Sequence, residues 1–424
     1  MGKIKLALIG AGERGKNCYA PHVRRSGDLM EFVAVAEPND DRRNEFAQQY
    51  GIPEENVFKS AEDFFEKPKM ADAVMICTQD RQHFEQAKAA IEKGYTILME
   101  KPISSDPREC LILEKMAQEK GVLIVVCHVL RYTRIFREIK KQLDSGIIGD
   151  VVSVVHTENI GYWHFAHSYV RGNWKSEETS APMIVAKCCH DFDMLSYLLG
   201  SRCRTVTSFG DLKYFRKENA PKGATARCLD GCPHSFTCEY YAPKFYLGGG
   251  NGWPASCLGS DLSEEGRLRA LREGPYAKCV FSGENDVCDH QVASLVFENG
   301  VTVSFTASAF TNNNERTIKI MGTKGEIETR TSESTVTVTR FGAGIRTGNV
   351  NTIKIPKSPY GHNGGDEGIM EAFAAAMAGI GKNDNLFSQS VHSHMIAFAV
   401  EESRKTGKII DVAEYERKLR ETII

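Results

Sequence analysis

The chain carries a G-x-G-x-x-G pattern at Gly10-Ala11-Gly12-Glu13-Arg14-Gly15, directly after a short apolar run. The first glycine permits a tight turn, the second lets the main chain approach a diphosphate, and the third lets a helix pack closely on a strand. Glu37 follows about 20 residues later, where a carboxylate hydrogen-bonds ribose hydroxyls and repels a 2′-phosphate. These residues predict a dinucleotide site that favours NAD over NADP, although Arg42 and Arg43 keep NADP open.

A group of thiols lies in the middle of the chain, with Cys228, Cys232 and Cys238 inside 11 residues. Grouped thiolates are typical ligands of soft metals. We expect Cys279 to be the fourth ligand, with His234 as a substitute for one thiol. The site would hold a structural zinc ion or an iron–sulfur centre. Unliganded thiols stay equally open, because the spacing is not C-x2-C and matches neither common ferredoxin pattern.

The first part of the chain alternates short apolar runs with helical patterns, which is typical of a parallel sheet with helical crossovers. The predicted strands are Ile4–Ile9, Phe32–Ala36, Ala73–Cys77, Thr96–Met99 and Val122–Val126. We therefore predict an α/β chain whose residues 1–126 form an N-terminal Rossmann domain, a doubly wound parallel sheet. This fold places the glycine pattern between the first strand and the first helix, with Glu37 at the end of the second strand.

Residues 127–424 are predicted to form a second α/β domain with a large, mostly antiparallel open sheet. Its predicted strands include Val151–His156, Val292–Phe297, Val301–Ala307, Thr317–Met321, Glu326–Thr331 and Thr335–Thr339. Glu298-Asn299-Gly300 predicts a hairpin between two of them. Residues 214–290, rich in Gly, Pro and Cys, are predicted to be a Cys-rich loop insertion without a core of its own. An open sheet face usually needs a partner, so we expect a homo-dimer or homo-tetramer.

The composition excludes several classes of protein. The chain has 424 residues and a formal net charge of −2, so it has no excess of positive charge that would attract nucleic acid or anionic lipid. Its hydrophobic fraction of 42% supports a large core. No apolar run approaches the roughly 18 residues of a membrane helix. No signal peptide precedes the first strand, so we expect a cytoplasmic protein with a small-molecule substrate and neither nucleic acid nor membrane as a partner.

Three further motifs carry chemistry: Glu100-Lys101-Pro102, Cys188-Cys189-His190-Asp191-Phe192-Asp193 and Gly322-Thr323-Lys324-Gly325-Glu326. The first follows the fourth predicted strand, at the sheet edge where such folds bind ligands. Together with the glycine pattern, the chain resembles the Gfo/Idh/MocA family of glucose-fructose oxidoreductase, inositol dehydrogenase and rhizopine-catabolism proteins. The resemblance covers most of the chain apart from residues 214–290.

The resemblance implies an enzyme that uses NAD(P) to oxidise or reduce a secondary alcohol of a sugar, sugar derivative or cyclitol. It makes Lys101 and His190 the catalytic pair. Many members carry an aspartate four residues before the histidine. That position is Ala186 here, with Lys187 next to it, while Asp193 keeps the acid three residues after the histidine. We expect His190 to take the hydroxyl proton and Lys101 to orient the oxygen, while the cofactor carries the hydride.

The remaining candidates surround this pair. The expected cofactor contacts are Gly10, Gly12, Glu13, Arg14, Gly15, Glu37, Thr78, His83, Glu100 and Lys101, of which Thr78 and His83 come from the resemblance. The expected substrate contacts are Lys101, His128, Tyr162, His164, Arg171, Lys187, His190, Asp193 and His362. Three of these belong to Gly161–Trp174, whose aromatic faces suit a sugar but equally suit a loop that packs its own rings.

Two other functions stay open. An NAD-retaining glycoside hydrolase, which acts by transient oxidation and elimination, would use the same Lys101 and His190. A non-enzymatic NAD-sensing regulator would keep the glycine pattern but need not keep those two residues. Cleavage of a glycoside without net NADH distinguishes the first, and tight NAD binding without turnover distinguishes the second.

Overall fold

A six-stranded parallel sheet forms the first domain in the computed structural model, which describes residues 2–27, 29–380 and 387–423. Its strands are β1 (Ile4–Ile9), β2 (Met30–Ala36), β3 (Val57–Phe58), β4 (Ala73–Ile76), β5 (Thr96–Met99) and β6 (Ile124–Val126). The order is β3-β2-β1-β4-β5-β6, and the paired strands run parallel. The strand order reverses next to β1, so the ligand crevice of such a fold lies beyond its carboxyl end. This topology confirms the predicted Rossmann domain.

A nine-stranded mixed sheet forms the second domain. Its strands are β7 (Val151–Gly161), β8 (Cys203–Asp211), β9 (His290–Phe297), β10 (Thr302–Thr311), β11 (Glu315–Gly322), β12 (Gly325–Arg330), β13 (Thr335–Arg340), β14 (Asn349–Lys354) and β15 (Ile410–Asp411). The order is β14-β13-β12-β11-β7-β10-β9-β8-β15. β7 pairs parallel with β10, and the other described pairs are antiparallel. The turn between β9 and β10 contains Gly300 at a φ of +86°, which only glycine adopts easily and which the sequence predicts.

Helices pack against both sheets. The α-helices in the described residues are α1 (Ala20–Arg25), α2 (Asp40–Tyr50), α3 (Ala61–Glu66), α4 (His83–Glu92), α5 (Pro107–Lys120), α6 (Arg134–Asp144), α7 (Tyr162–Phe165), α8 (Met183–Ala186), α9 (Cys189–Leu199), α10 (Ala242–Tyr246), α11 (Glu264–Glu273), α12 (Gly365–Met377), α13 (Phe387–Thr406) and α14 (Val412–Glu421). None of them is long and apolar enough to cross a bilayer.

The helix α13 joins the two domains. It packs on α9 and β8 of the second domain and on α5 of the first. Its apolar residues Val391, Met395 and Ile396 are buried in the main hydrophobic core. Burial of this apolar surface on both sides holds together the two halves of any site that lies between the domains.

The Cys-rich insertion lies between β8 and β9 and has a small core of its own. Ala242, Tyr246, Leu271 and Ala277 are buried together in it. The prediction of an insertion without a core is therefore wrong, because its two helices, α10 and α11, are too short to give a clear apolar period. Burial raises the pKa of Cys257 in the insertion to about 11, and the charges of Glu13 and Arg42 in the first domain act on it in opposite directions.

Candidate active site

The glycine pattern lies at the carboxyl end of β1, and each glycine has a separate structural reason. A side chain at Gly10, whose φ is +91°, would meet the carbonyl oxygen of Cys77 at 2.7 Å. A side chain at Gly15 would meet the carbonyl oxygen of Gly10. Nothing lies within 4 Å of a side chain built at Gly12, and Glu13 beside it is exposed. The main chain there faces open space that a diphosphate can approach.

Glu37 follows β2 and lies beside the glycine pattern. Its carboxylate accepts hydrogen bonds from the main-chain nitrogens of Ala11 at 2.8 Å and Asn39 at 3.0 Å. Arg43 donates to the carbonyl oxygen of Glu37 at 2.7 Å and forms an ion pair with Asp40. The carboxylate therefore stands where a ribose acceptor is expected, and Arg43 is already engaged with the protein.

Arg14 and Glu100, both expected cofactor contacts, bind each other. Arg14 Nε donates to Glu100 Oε1 at 2.7 Å, and Arg14 Nη2 donates to Asp366 Oδ1 at 2.8 Å. The hydroxyl of Tyr19 also donates to Glu100. Burial would raise the pKa of Glu100, but the charges of Arg14 and Lys101 hold it below its usual value. These residues support the site from inside the protein, and the sequence did not indicate the parts of Tyr19 and Asp366.

Lys101 reaches from the first domain to the second. Its Nζ donates a hydrogen bond to the carbonyl oxygen of Ala186 at 2.7 Å. Its main-chain nitrogen donates to Glu100 Oε2 at 3.0 Å, and the nitrogen of Ile103 donates to His394 Nε2 of α13 at 3.0 Å. Position 186, at which the resemblance implies an aspartate, thus contributes its main chain to the lysine.

His190 lies in the first turn of α9 and is 8% exposed. Its Nδ1 is buried and has no hydrogen-bond partner within the described residues. Burial lowers the pKa of His190 well below 6.5, and the charges of Lys101, His128 and Arg316 lower it further. The imidazole is therefore neutral at neutral pH and able to accept a proton. Lys101 Nζ also binds the main chain at Ala186, four residues before His190, which brings the side chain of Lys101 to this part of the second domain.

A buried ion network lies at the start of α9. Asp191 Oδ1 is 2.7 Å from both Arg316 Nε and His156 Nε2. Burial would raise the pKa of Asp191, but Arg316 and His156 hold it below its usual range. Glu158 pairs with Arg316 at 2.9 Å and with Lys187 Nζ at 3.2 Å. Lys187, an expected substrate contact, is therefore anchored at the edge of this network.

His164 and His362 border the same cluster. The side chain of His362 is 44% exposed, and its Nδ1 lies 3.0 Å from Asp366 Oδ1. Its charge contributes to the lowered pKa of His190. Burial, followed by the charge of Lys187, lowers the pKa of His164 well below 6.5. Both histidines stay predicted substrate contacts.

His83 and Thr78 follow β4, but only Thr78 faces the glycine pattern. His83 is fully buried, and its ring nitrogens lie 2.7 Å from the carbonyl oxygen of Pro102 and 3.3 Å from that of Thr78. The ring therefore has main-chain neighbours inside the protein, and its contact with the cofactor stays a prediction. The methyl group of Thr78 would lie 3.0 Å from a side chain at Gly10.

Tyr162 and Arg171, both expected substrate contacts, pack against the insertion. The ring of Tyr162 lies edge-on to that of Tyr240, with centroids 5.9 Å apart. Arg171 donates to the carbonyl oxygens of Lys278 at 2.8 Å and of Tyr240 at 2.7 Å. The geometry favours the second interpretation of this aromatic segment, a loop that packs its own rings, and gives these two side chains structural partners.

Asp193 and His128 are buried beside His190. Asp193 accepts two hydrogen bonds from Arg131, from Nε and Nη2, both at 2.6 Å. His128 Nε2 lies 3.7 Å from Asp193 Oδ1, and its ring centroid is 5.7 Å from that of His190. Both side chains are buried and have protein partners, and their contact with a substrate stays a prediction.

The Arg131–Asp193 pair predicts a large effect on stability. We expect Arg131→Met to lower the free energy of unfolding by about 3–5 kcal/mol, because it leaves the Asp193 carboxylate buried without its cation. Chemical denaturation measures this loss. The exposed control Arg24→Met should change stability by less than about 0.5 kcal/mol. Equal stabilities of the two variants would show that the pair does not hold this region together.

The expected metal ligands lie near one another without forming a ligand sphere. Cys228, Cys232, Cys238, Cys279 and His234 line one cavity. Within the described residues, however, no group of three or more His, Cys, Asp or Glu side chains stands where it could hold a metal ion. The predicted zinc or iron–sulfur site therefore has no preformed ligand geometry.

Two family profiles match the two domains. Residues 4–128 match the profile described as "Oxidoreductase family, NAD-binding Rossmann fold", and residues 140–412 match "Oxidoreductase family, C-terminal alpha/beta domain". Both profiles carry the name Gfo/Idh/MocA. The chain belongs to this family. Its first domain is thus of the NAD-binding class, as the glycine pattern predicts.

Individual relatives support the same fold and class. The Bacillus subtilis protein YteT is 25% identical over 372 residues, 83% of each chain. The scyllo-inositol 2-dehydrogenase (NADP(+)) IolW of the same organism is 24% identical over 238 residues, and the match spans 56% of this chain and 58% of IolW. The structure of levoglucosan dehydrogenase with NADH and L-sorbose has a TM-score of 0.70 at 21% identity and covers 97% of this chain and 99% of that one.

Proposed function

We propose that this chain is an NAD(H)-dependent oxidoreductase that transfers a hydride to or from a secondary alcohol of a sugar, sugar derivative or cyclitol. The observation that carries the proposal is the hydrogen bond that Lys101 Nζ, from the first domain, donates to the carbonyl oxygen of Ala186 in the second domain, four residues before His190. The charge of Lys101 also helps to lower the pKa of His190. Lys101 follows β5 at the same edge of the sheet as the glycine pattern, where such folds bind dinucleotides.

The residues at this edge fit a dinucleotide. The open space at Gly12 suits a diphosphate, and Glu37 offers a carboxylate to the ribose next to the adenine. Thr78 lies against Gly10, close to the same loop. When bound, the cofactor supplies the hydride acceptor or donor. The protein's own side chains orient the alcohol and accept or return its proton.

We propose that His190 accepts the proton of the alcohol hydroxyl and that Lys101 stabilises the negative charge that develops on its oxygen. Because the pKa of His190 is lowered, its imidazole is free to take the hydroxyl proton as the carbon loses its hydride. The ammonium group of Lys101 donates a hydrogen bond to the same oxygen and stabilises its developing negative charge. In the reverse direction His190 returns the proton. Lys187, His164 and His362 contact the other hydroxyls of the substrate.

Glu37 should set the cofactor preference. We expect Glu37→Ala to lower kcat/KM with NAD by about 10- to 100-fold, because a charge-assisted hydrogen bond to the ribose is lost. The value with NADP should change little, since the repulsion of its 2′-phosphate is lost at the same time. The exposed control Glu54→Ala should keep the wild-type ratio. An unchanged ratio of NAD to NADP activity in Glu37→Ala would remove Glu37 from this role.

A turnover screen tests the proposed reaction. The purified chain is incubated with NAD or NADP and with sugars, sugar acids, inositols and glycosides, and both NADH absorbance and products are measured. NADH formed in step with an oxidised sugar or cyclitol supports the proposal. Glycoside cleavage without net NADH would replace it with an NAD-retaining hydrolase. Tight NAD binding without turnover of any substrate would replace it with a regulator.

We also propose that the chain forms a homo-dimer or homo-tetramer through the outer face of the nine-stranded sheet. Val155, Phe209 and Val292 lie on this face and are between 43% and 67% exposed. Phe209 and Val292 are paired neighbours on β8 and β9, so they form a continuous apolar surface, which soluble proteins usually cover. Light scattering on the purified chain should give a multiple of its 47.1 kDa mass. A monomer at all concentrations would contradict this interface.

A further inference from the structure

Four thiols of the insertion converge on one small cavity. Cys228, Cys232, Cys238 and Cys279 all line it. Cys228 and Cys279 lie on neighbouring segments that an antiparallel bridge between Arg227 and Lys278 holds together. Each of the four is a free thiol and only partly buried. Cysteines as many as 51 positions apart in the chain thus place their sulfur atoms around one cavity.

The sulfur of Cys228 lies against two N–H donors. Cys228 Sγ accepts from the nitrogen of Ala242 at 3.5 Å and from Arg171 Nη2 at 3.7 Å. A neutral thiol is a weak acceptor, whereas hydrogen bonds to a charged acceptor are roughly twice as strong. Arg171 therefore places a positive charge beside the sulfur of Cys228.

Arg171 gives an independent indication of negative charge in the cavity. It lines the cavity and is only 3% exposed. Its Nη1 is buried and has no hydrogen-bond partner among the residues that the structure describes. A buried donor without a partner costs free energy, and a buried cation without an anion costs more. Thiolates around a divalent ion or cluster would carry the negative charge that this guanidinium lacks.

We propose that Cys228, Cys232, Cys238 and Cys279 bind, as thiolates, one thiophilic metal centre, either a zinc ion or an iron–sulfur cluster. The four thiols release their protons to solvent on binding, and the centre undergoes no change of oxidation state. A single zinc ion needs sulfurs at about 2.3 Å, a spacing for which no ligand group is preformed in the described residues, so zinc would draw them inward. A cluster places iron and sulfide between the cysteine sulfurs and suits a wider arrangement.

The metal centre would fix one wall of the proposed active site. The insertion's own core is small. A metal bound by four cysteines would cross-link its segments and make it more rigid than its packing alone does. Trp253 of the insertion packs on His164 with ring centroids 4.9 Å apart. We therefore expect loss of the metal to raise the KM for substrate more than it lowers kcat, a consequence that rests on the proposed function. Metal binding itself does not depend on that function.

Metal analysis of the full-length protein tests the proposal directly. The wild type is purified without air from cells supplied with both iron and zinc, and iron, zinc and acid-labile sulfide are measured per chain. About one zinc, or about two to four irons with equal sulfide, supports the site and identifies which centre it holds. Both metals well below one equivalent per chain would overturn the proposal.

Single variants locate the metal. Cys232→Ser and Cys238→Ser should lose most of the bound metal. Cys257→Ser is the matched control, because this cysteine lies in the same insertion but does not line the cavity. It should retain the wild-type content. Equal metal content in all three variants would overturn the assignment of ligands.

Thiol labelling of the wild type keeps the test independent of whether those variants fold. Iodoacetamide is applied to the metal-loaded protein and, separately, after a chelator has removed the metal, and labelled cysteines are mapped by mass spectrometry. The four cysteines should be protected in the loaded protein and react after chelation, while Cys257 reacts alike in both. Equal labelling of the four before and after chelation would overturn the proposal.

Discussion

Replacing Lys101 with methionine should lower kcat/KM by about 10²–10³-fold, the usual cost of losing one donor to a developing negative charge. Methionine keeps the unbranched chain but cannot donate a hydrogen bond to the alcohol oxygen. It also leaves the carbonyl oxygen of Ala186 without the donor that lies 2.7 Å away, at a cost to stability of about 1 kcal/mol. Steady-state kinetics measure the loss, and fluorescence titration with the dinucleotide should show nearly unchanged cofactor binding.

Lys354→Met is the matched control for this experiment. Lys354 is exposed on β14, a strand at the edge of the second sheet. The control should retain wild-type kinetics, since it removes the same charge far from the parallel sheet. If Lys101→Met and Lys354→Met turn over substrate alike, Lys101 has no part in the chemistry.

Replacing His190 with asparagine should lower kcat by about 10²–10⁴-fold, the usual contribution of a positioned general base. Asparagine is polar and of similar size, but it cannot take the hydroxyl proton. His290→Asn, at the start of β9, is the matched control, because that histidine is 39% exposed and pairs with its chain neighbour Asp289. Wild-type turnover of His190→Asn would refute the assignment of the base.

The pH dependence gives a second readout for His190. Protonation removes the base, so activity is lost as the pH falls through the pKa of His190. Burial and then Lys101 lower that pKa well below 6.5. The protonation of His190 should therefore not affect the rate of alcohol oxidation between about pH 8 and 6.5, and the rate should decline only below that range. If the activity of the wild type fell with a midpoint above pH 6.5, and this fall were absent in His190→Asn, the pKa of His190 would not be lowered.

The parallel sheet was largely predictable because its strands are buried on both faces. Such strands are continuous apolar runs, and the predicted bounds of β1, Ile4–Ile9, are those observed. The strand β3, Val57–Phe58, was missed because two residues are too few to show a pattern. In the second sheet, β14 (Asn349–Lys354) was missed because this edge strand is polar and mostly exposed.

The site was only partly predictable, because its supporting contacts join distant parts of the chain. The motifs indicated Lys101 and His190, but nothing local shows that Arg14 binds Asp366, 352 positions later. Lys101 contacts the main-chain carbonyl oxygen of Ala186, a group that every residue has. The side chain at position 186 therefore could not indicate this contact. Residue type alone also leaves the role of Tyr162 open, since a tyrosine that packs against Tyr240 is the same amino acid as one that binds a sugar.

The most direct test of the proposed reaction is a crystal structure of the full chain with its dinucleotide and a bound sugar or cyclitol. The account predicts that Lys101 Nζ and a ring nitrogen of His190 both lie about 2.6–3.2 Å from the same alcohol oxygen. The carbon that bears this oxygen should face the nicotinamide. A complex in which the alcohol binds elsewhere, with Lys101 Nζ still on Ala186 and His190 apart from it, would contradict the central claim.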